Sequence, residues 1–301
     1  MYMLLNLANS SKQAAILFHF IGLLFITNFP SVTSQISSHA CGNASTYANG
    51  STFSSDLNRL MGDLMKNAPQ TRFNTSFYGK SPNRIYGLLQ CQGNISSQDC
   101  SICSQEANDS VIQLCGKDVG ARVWLESCFL RYENFSLFSK LDTNGTYLVM
   151  VIEISTSNLY NFKTTTSNLL FNVSDEACNF ANRGFTQGSA TCSANGTVYS
   201  LVQCWRDLSR KDCRSCFQLP TNNLHRCRSL NGGAQALSGS CRVRYEIYPS
   251  FNTSTAGNSA SPLSFSNSSR PNPSAHMTQV TQANGASHTT SSNPSWPHLI
   301  L

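Results

Sequence analysis

The stretch IYGLLQCQGNISSQDCSIC, Ile85 to Cys103, recurs as VYSLVQCWRDLSRKDCRSC, Val198 to Cys216, and each cysteine of the second lies 113 positions after its counterpart. Cysteines stand at 91, 100 and 103 in the first copy and at 204, 213 and 216 in the second. The likeness continues in CFLRYENFSLF from Cys128 and CRVRYEIYPSF from Cys241, where Arg131, Tyr132 and Glu133 answer Arg244, Tyr245 and Glu246. One more cysteine lies between these anchors in each copy, Cys115 and Cys227, at an offset of 112, so that loop differs by one residue. A repeat of this length reads as two copies of one small domain, at about 39–140 and 145–250.

Thirteen cysteines in 301 residues are dense for a cytosolic chain and ordinary for a secreted one. The N-terminus agrees with secretion. Lys12 precedes AAILFHFIGLLFIT, Ala14 to Thr27, an apolar core too short to span a bilayer comfortably. Val32 and Ser34 suit the small-residue rule, so residues 1–34 read as a signal peptide cut after Ser34; the alternative is an uncut anchor. YLVMVIEI, Tyr147 to Ile154, is the longest later apolar run and reads as a strand, so no membrane span is expected in the mature chain. Asn-x-Ser/Thr triplets at Asn43, Asn49, Asn74, Asn94, Asn108, Asn134, Asn144, Asn172, Asn195, Asn252 and Asn267 fit passage through a secretory lumen. Net charge is +6 and the basic residues are scattered; the cluster RDLSRKDCR, Arg206 to Arg214, reads as a solvated helix start rather than a polyanion site. No nucleic-acid partner is expected. From 251 to 301 the chain is Ser-, Thr-, Asn- and Pro-rich, buries too little to fold, and is expected to be disordered.

Periodicity supplies the elements. FSSDLNRLMGDLM places Phe53, Leu57, Leu60, Met61, Leu64 and Met65 on one helical face, with Pro69 expected beyond the helix end. A second helix starts near Ser97 or Gln98, with Cys100, Cys103, Ala107, Val111 and Leu114 on its buried face. RIYGLLQC and RVWLESCFLRYE read as strands. In copy two, Phe162, Leu169, Leu170 and Val173 keep helical spacing, and Pro220 is expected to leave the helix after Cys216 short or kinked.

This placement explains the cysteine spacing. Cys91 closes a strand and Cys100 opens a helix, so a bridge between them would join strand to helix across a short turn. Cys103, one turn on, can reach another strand, for example at Cys128, and Cys41 could then meet Cys115. In a domain of about 100 residues each bridge contributes roughly 2–4 kcal/mol. Cys100-Ser-Ile-Cys103 has no thioredoxin-like βαβ pattern around it. Zinc would need further ligands, and His225 is the one histidine near either set. Copy two lacks a counterpart of Cys41 and has Cys178 and Cys192 in addition, so one cysteine of the thirteen is left over or pairs between chains in a disulfide-linked dimer. There is no nucleophile elbow, zinc-protease helix or phosphate loop. The chain is therefore expected to be non-enzymatic, without metal or cofactor.

The C-x8-C-x2-C spacing, with YGLLQC and GARVWLESCFLRYE around it, resembles the ginkbilobin-homologous, or stress-antifungal, domain of land plants. Tandem pairs of it after a signal peptide resemble plant cysteine-rich repeat secretory proteins and the ectodomains of cysteine-rich receptor-like kinases. The resemblance implies an α+β fold, with two disulfide-stapled domains that each pack an antiparallel sheet on two helices. It implies the bridges Cys41–Cys115, Cys91–Cys100, Cys103–Cys128, Cys204–Cys213 and Cys216–Cys241, with Cys227 joined to Cys178 or Cys192. It also implies action by apoplastic binding in defence or stress, lectin-like or antifungal, with an ectodomain-like fragment or relative of a cysteine-rich receptor-like kinase acting in signalling as the alternative. The expected partners are mannose-type glycans or cell-wall polysaccharide, or an apoplastic or receptor protein in signalling. A single-domain member of the family binds mannose through an Asn, an Arg and a Glu. Their matches in copy one are Arg122 and Glu133, with Gly42 at the Asn position and Asn43 one residue later. The missing Asn favours a copy one that does not hold mannose, and the same Arg and Glu suit an ion pair on neighbouring strands. In copy two Glu246 is kept but Gln235 replaces the Arg, so no mannose site is expected there.

Overall fold

The computed structural model describes residues 35–42, 45–143, 147–151, 159–192, 196–226, 233–249 and 278–280. The expected signal peptide, Asn43, Asn144, Asn195, Cys227, Asn252 and Asn267 lie outside them. Copy one runs β1 (Ile36–Cys41), α1 (Thr52–Thr71), β2 (Phe73–Tyr78), β3 (Ile85–Cys91), α2 (Ser97–Cys115), β4 (Ala121–Leu125) and β5 (Cys128–Glu133). Copy two runs β6 (Tyr147–Val151), α3 (Leu159–Ala177), a 3-10 turn at Phe180–Asn182, β7 (Phe185–Cys192), β8 (Gly196–Cys204), α4 (Arg210–Arg226), β9 (Gly233–Leu237) and β10 (Cys241–Glu246). Each copy forms one antiparallel sheet. The first has the order β1-β4-β5-β3-β2, and the second repeats it as β6-β9-β10-β8-β7. The stretch expected to be disordered lies outside the described residues except for β11 (Thr278–Val280), which pairs antiparallel with the free edge of β6.

Helices α1, α2 and α4 start where Ser51, Ser96 and Ser209 cap them. Ser96 accepts from the N–H of Asp99, and its hydroxyl donates to the Asp99 carboxylate at 2.7 Å. Ser209 and Asp212 repeat the device in copy two. Both satisfy an N–H that the first turn leaves without a partner. On α1, Leu57, Leu60, Met61, Leu64 and Ala68 are buried, and Phe53 and Met65 pack at the margin. Contrary to expectation α1 continues through Pro69 and ends at Thr71. Proline forfeits a hydrogen bond there but stands in the last turn, just before Arg72 adopts left-handed φ (64°) and ends the helix. α4 likewise continues for 17 residues with Pro220 inside it, so it is not short. On α2 the buried residue at the C-terminal end is Cys115, and Leu114 is exposed. The bridge to Cys41 fixes which of the two adjacent residues faces inward.

Among the described residues five bridges hold helices to sheets: Cys41–Cys115, Cys91–Cys100 and Cys103–Cys128 in copy one, Cys204–Cys213 and Cys216–Cys241 in copy two. Cys91 and Cys128 face each other across β3 and β5, as Cys204 and Cys241 do across β8 and β10. Each member of such a pair bonds to the helix instead of to its neighbour. The first two turns of α2 or α4 are thereby fastened to two adjacent strands at once.

Strands β5 and β10 are buried along their whole length. Side chains alternate across a strand. Cys128, Leu130 and Tyr132 join the core beneath α1 and α2, and Cys241, Val243 and Tyr245 join the core beneath α3 and α4. The other faces of the two sheets meet each other. There Phe129 of copy one stacks on Trp205 of copy two, ring centres 4.4 Å apart, within a cluster that includes Ala40, Leu88, Trp124 and Leu237. Two buried glutamines bind the copies reciprocally. The Gln90 side-chain amide donates to the Cys204 carbonyl (3.4 Å), and that of Gln203 donates to the Cys91 carbonyl (3.0 Å). These residues correspond at the repeat offset, so the copies approach a two-fold relation.

Candidate functional site

The residues singled out for sugar binding lie on this inner face. Arg122 on β4 is 0% exposed and Glu133 on β5 is 2% exposed. The Arg122 charge bears on Glu133, and each also has an ion-pair partner of its own. Arg122 donates to the Asp142 carboxylate at 3.0 Å, and its guanidinium lies 5.2 Å over the Trp124 ring. Arg131, paired across the strands with Arg122, donates to Glu133 at 2.8 Å and to the same oxygen of Asp142 at 2.7 Å. Two arginines therefore share Asp142, and Glu133 holds the far side of Arg131. The Asp142 N–H donates to the Ser240 hydroxyl of copy two at 2.7 Å, so the segment after β5 carries this carboxylate into the joint.

Glycines make room. A Cβ on Gly239 would lie 2.4 Å from the Asp142 carboxylate and 2.6 Å from the Arg122 guanidinium. A Cβ on Gly120 would lie 2.3 Å from the Glu133 carboxylate. Gly42, at the Asn position, donates its N–H to the Gly120 carbonyl at 2.8 Å, beside that carboxylate. The structure thus brings Arg122, Glu133 and Gly42 into one neighbourhood and closes it with copy two.

Copy two repeats the arrangement with other partners. Arg244 donates to Glu246 at 2.9 Å and forms an ion pair with Glu126 of copy one. Fully buried Arg242 donates to the Glu126 carbonyl and to Gln235, the residue at the Arg122 position, each at 2.9 Å. Burial pushes the Arg242 guanidinium down to about 10, against the pull of Glu126. Burial pushes the Glu133 and Glu246 carboxyls up, only partly offset by Arg131 and Arg244. Burial also pushes on Glu126, but Arg244 and Arg242 outweigh it and hold that carboxyl below its usual range. Asp142, Arg131, Glu126, Gln90 and Gln203 are the members that the sequence reading left out. The signal available for them was the Arg-x-Glu and the Gln-Cys kept in both copies.

Of the cysteines outside the repeat, Cys178 is a buried free thiol whose pKa burial pushes up, and Cys192 is buried at the end of β7. Among the sequons, Asn49, Asn134 and Asn172 are exposed, and Asn74 and Asn108 are half-buried. The Asn94 amide is engaged by Gln187 of copy two at 2.9 Å. Among the described residues no helix is long and apolar enough to cross a membrane, and no cluster of His, Cys, Asp or Glu is placed to hold a metal.

The family model described as salt stress response/antifungal matches residues 40–135 and 153–248. The chain is 33% identical over 214 residues to the cysteine-rich repeat secretory protein 38 of Arabidopsis thaliana, covering 70% of this chain and 84% of that one. It is 30% identical over 212 residues to the antimicrobial ginkbilobin-2-like protein of Castanea crenata, covering 70% and 87%. It is 30% identical over 225 residues to the cysteine-rich receptor-like protein kinase 25 of Arabidopsis thaliana, spanning 72% of this chain but only 33% of the kinase. The crystal structure of the tandem DUF26 ectodomain of the Arabidopsis thaliana cysteine-rich receptor-like protein PDLP8 superposes with a TM-score of 0.62 at 25% identity, over 71% of this chain and 98% of that one. With two matched domains, paired sheets and bridges from strand to helix, the chain belongs to the salt stress response/antifungal family.

Proposed function

We propose that the protein is a non-enzymatic carbohydrate-binding protein of plant defence and stress, exported to the apoplast, and that it works as one two-domain body. The relatives named secretory and antimicrobial support the setting. The observation that carries the two-domain body is the fate of Arg122 and Glu133, which are 0% and 2% exposed and engaged by Asp142 and Arg131. Burial of both supports a role for this position in the joint between domains rather than in holding a monosaccharide. Recognition of polysaccharide then falls to the outer surfaces.

The test uses the secreted full chain. Incubated with insoluble cell-wall polysaccharide, it should sediment with the polysaccharide, and free mannose should not release it. Calorimetric titration with mannose should give no binding. A chain that stays in solution overturns the carbohydrate reading, and release by mannose, abolished in Arg122→Ala, restores the family site. A second reading, recognition of a receptor protein in signalling, is favoured by the superposition over 98% of a solved receptor-like ectodomain. Cross-linking to a plant cell-surface protein, in place of sedimentation with polysaccharide, would select it.

A further inference from the structure

The basic cluster that reads as a solvated helix start is not all solvated. Arg206 is half-buried, and with Arg183 and Arg210 it lines an open cavity of about 310 Å³. The cavity's other walls include Ala177, Trp205, Leu208 and the Cys204–Cys213 bridge. We propose that this cavity is a binding site for a small organic anion, a carboxylate carried on an apolar or aromatic body. The inference goes beyond the polysaccharide reading and concerns a different part of the chain from the Arg122–Glu133 network.

Three observations carry it. First, the positive charge is unmatched. Among the described residues no ion pair is made by Arg183, Arg206 or Arg210, nor by Arg72 of copy one, whose charge also bears on Arg206. Arg206 in addition keeps a buried Nε–H with no acceptor. Bringing like charges together around a partly desolvated guanidinium costs free energy unless an anion joins them.

Second, the arginines are held in place. The Arg206 guanidinium donates to the Thr71 carbonyl of copy one, and its backbone N–H donates to the Gln90 side chain at 2.9 Å. Arg210 donates to the Asn179 side chain at 2.7 Å. Arg183 sits in a turn with left-handed φ (48°), and the next residue is fixed because Cys204 N–H donates to the Gly184 carbonyl at 2.8 Å. Gly184 admits no side chain, since a Cβ would lie 2.6 Å from the Cys204 carbonyl. Guanidinium groups held this way suit the two oxygens of a carboxylate better than the mobile ammonium of lysine would.

Third, the cluster is peculiar to copy two. At the repeat offset Arg206 and Arg210 correspond to Gly93 and Ser97. The Gly93 position is filled by the Phe185 ring, which a Cβ there would meet at 2.3 Å. The first copy thus has neither the charge nor the room, and the repeat alone does not account for the site. The apolar walls and the volume, at the low end for small-molecule pockets, favour a compact body behind the anionic group over a bare inorganic ion.

The test is calorimetric titration of the secreted full chain with sodium benzoate, with uncharged benzamide and with sodium sulfate. Benzoate should bind, and benzamide should not. Sulfate should bind at least about tenfold more weakly than benzoate, because it leaves the apolar walls unfilled. Arg206 also contacts copy one, so the informative variants are at the exposed residues Arg183 and Arg210. Arg183→Gln and Arg210→Gln should each weaken benzoate by about tenfold or more, while Arg59→Gln, exposed on α1, should leave it unchanged. Equal binding of benzamide, equal binding of sulfate, no binding of benzoate, or unchanged affinity in both variants overturns the proposal. None of these outcomes bears on retention by polysaccharide, so the two readings fail separately.

Discussion

At the scale of single residues, glycines and buried acids decide the joint. Gly233 abuts Glu246 so closely that a Cβ would lie 1.9 Å from the carboxylate, whereas a Cβ on Gly62 of α1 would meet nothing within 4 Å. Gly233→Ala should therefore destabilise by about 1–3 kcal/mol through overpacking. Gly62→Ala, on an exposed helical position, should stabilise by about 0.5–1 kcal/mol. Urea midpoints measured side by side check both signs. The acids predict a pH dependence. Glu133 and Glu246 have folded pKa values raised above the ordinary 4.5. The folded state thus binds their protons more tightly than the unfolded chain does. This contribution is fully present below 4.5 and is lost as pH rises through the raised values. Glu126 is shifted the other way, and its contribution is lost only as pH falls below 4.5. Above pH 4.5 the raised pair should make the native chain melt lower as pH rises, while His39, whose pKa burial lowers, acts the other way below its ordinary 6.5. Glu133→Gln with Glu246→Gln should flatten that fall, and a slope unchanged in the double variant would refute the assignment.

At the scale of elements, the bridges should rank by the length of chain they close. Cys41–Cys115 spans 74 residues and Cys91–Cys100 spans 9. Loop entropy alone assigns about 4.4 and about 2.6 kcal/mol to them. Replacing the first pair by alanine should lower the unfolding midpoint more than replacing the second, as calorimetry of the two variants would show. The elements themselves were largely legible. The face of α1 reads directly from Leu57, Leu60, Met61 and Leu64, and the strand-helix boundary reads from the Ser-Asp caps and the cysteines. The reach of α1 past Pro69 was not, because a proline in the last turn loses one bond that the surrounding packing tolerates. Of the candidate site the sequence offered Arg122 and Glu133, but not their partners or their setting. Arg131 and Glu133 alternate with Leu130 and Tyr132, a pattern that ordinarily marks one wet face. Here that face is covered by a second copy with the same pattern, and the charges meet carboxylates and carbonyls instead of water. Local alternation cannot report a cover that lies more than a hundred residues away.

At the scale of the whole molecule, two domains behave as one because their sheets share an interior. Phe129 and Trp205 stack at its centre, and Trp205 also donates its indole N–H to the Gly239 carbonyl at 2.7 Å. Trp205→Ala should cost about 3–5 kcal/mol and weaken the coupling between copies. Scanning calorimetry should then resolve two transitions where the native chain gives one. A single transition shifted without splitting would show that the copies remain coupled through the polar bonds alone.

Among the described residues the five bridges each close within a copy, and none joins the two. This has a consequence for the newborn chain. Copy one holds the cysteines for its own three bridges, so its oxidation can be complete before copy two has been translated. At about 5–20 residues per second, the hundred or so residues that follow take roughly 5–20 s to arrive. For that interval the first sheet stands finished on one side and bare on the other, with Trp124 and Phe129 uncovered and Arg122 and Arg131 wet. The exposed side matches itself in outline, since the reciprocal glutamine bonds relate the copies by a near two-fold. Nascent chains on neighbouring ribosomes could therefore seize one another, and a lumenal chaperone that shields this face would have to let go as soon as β10 forms.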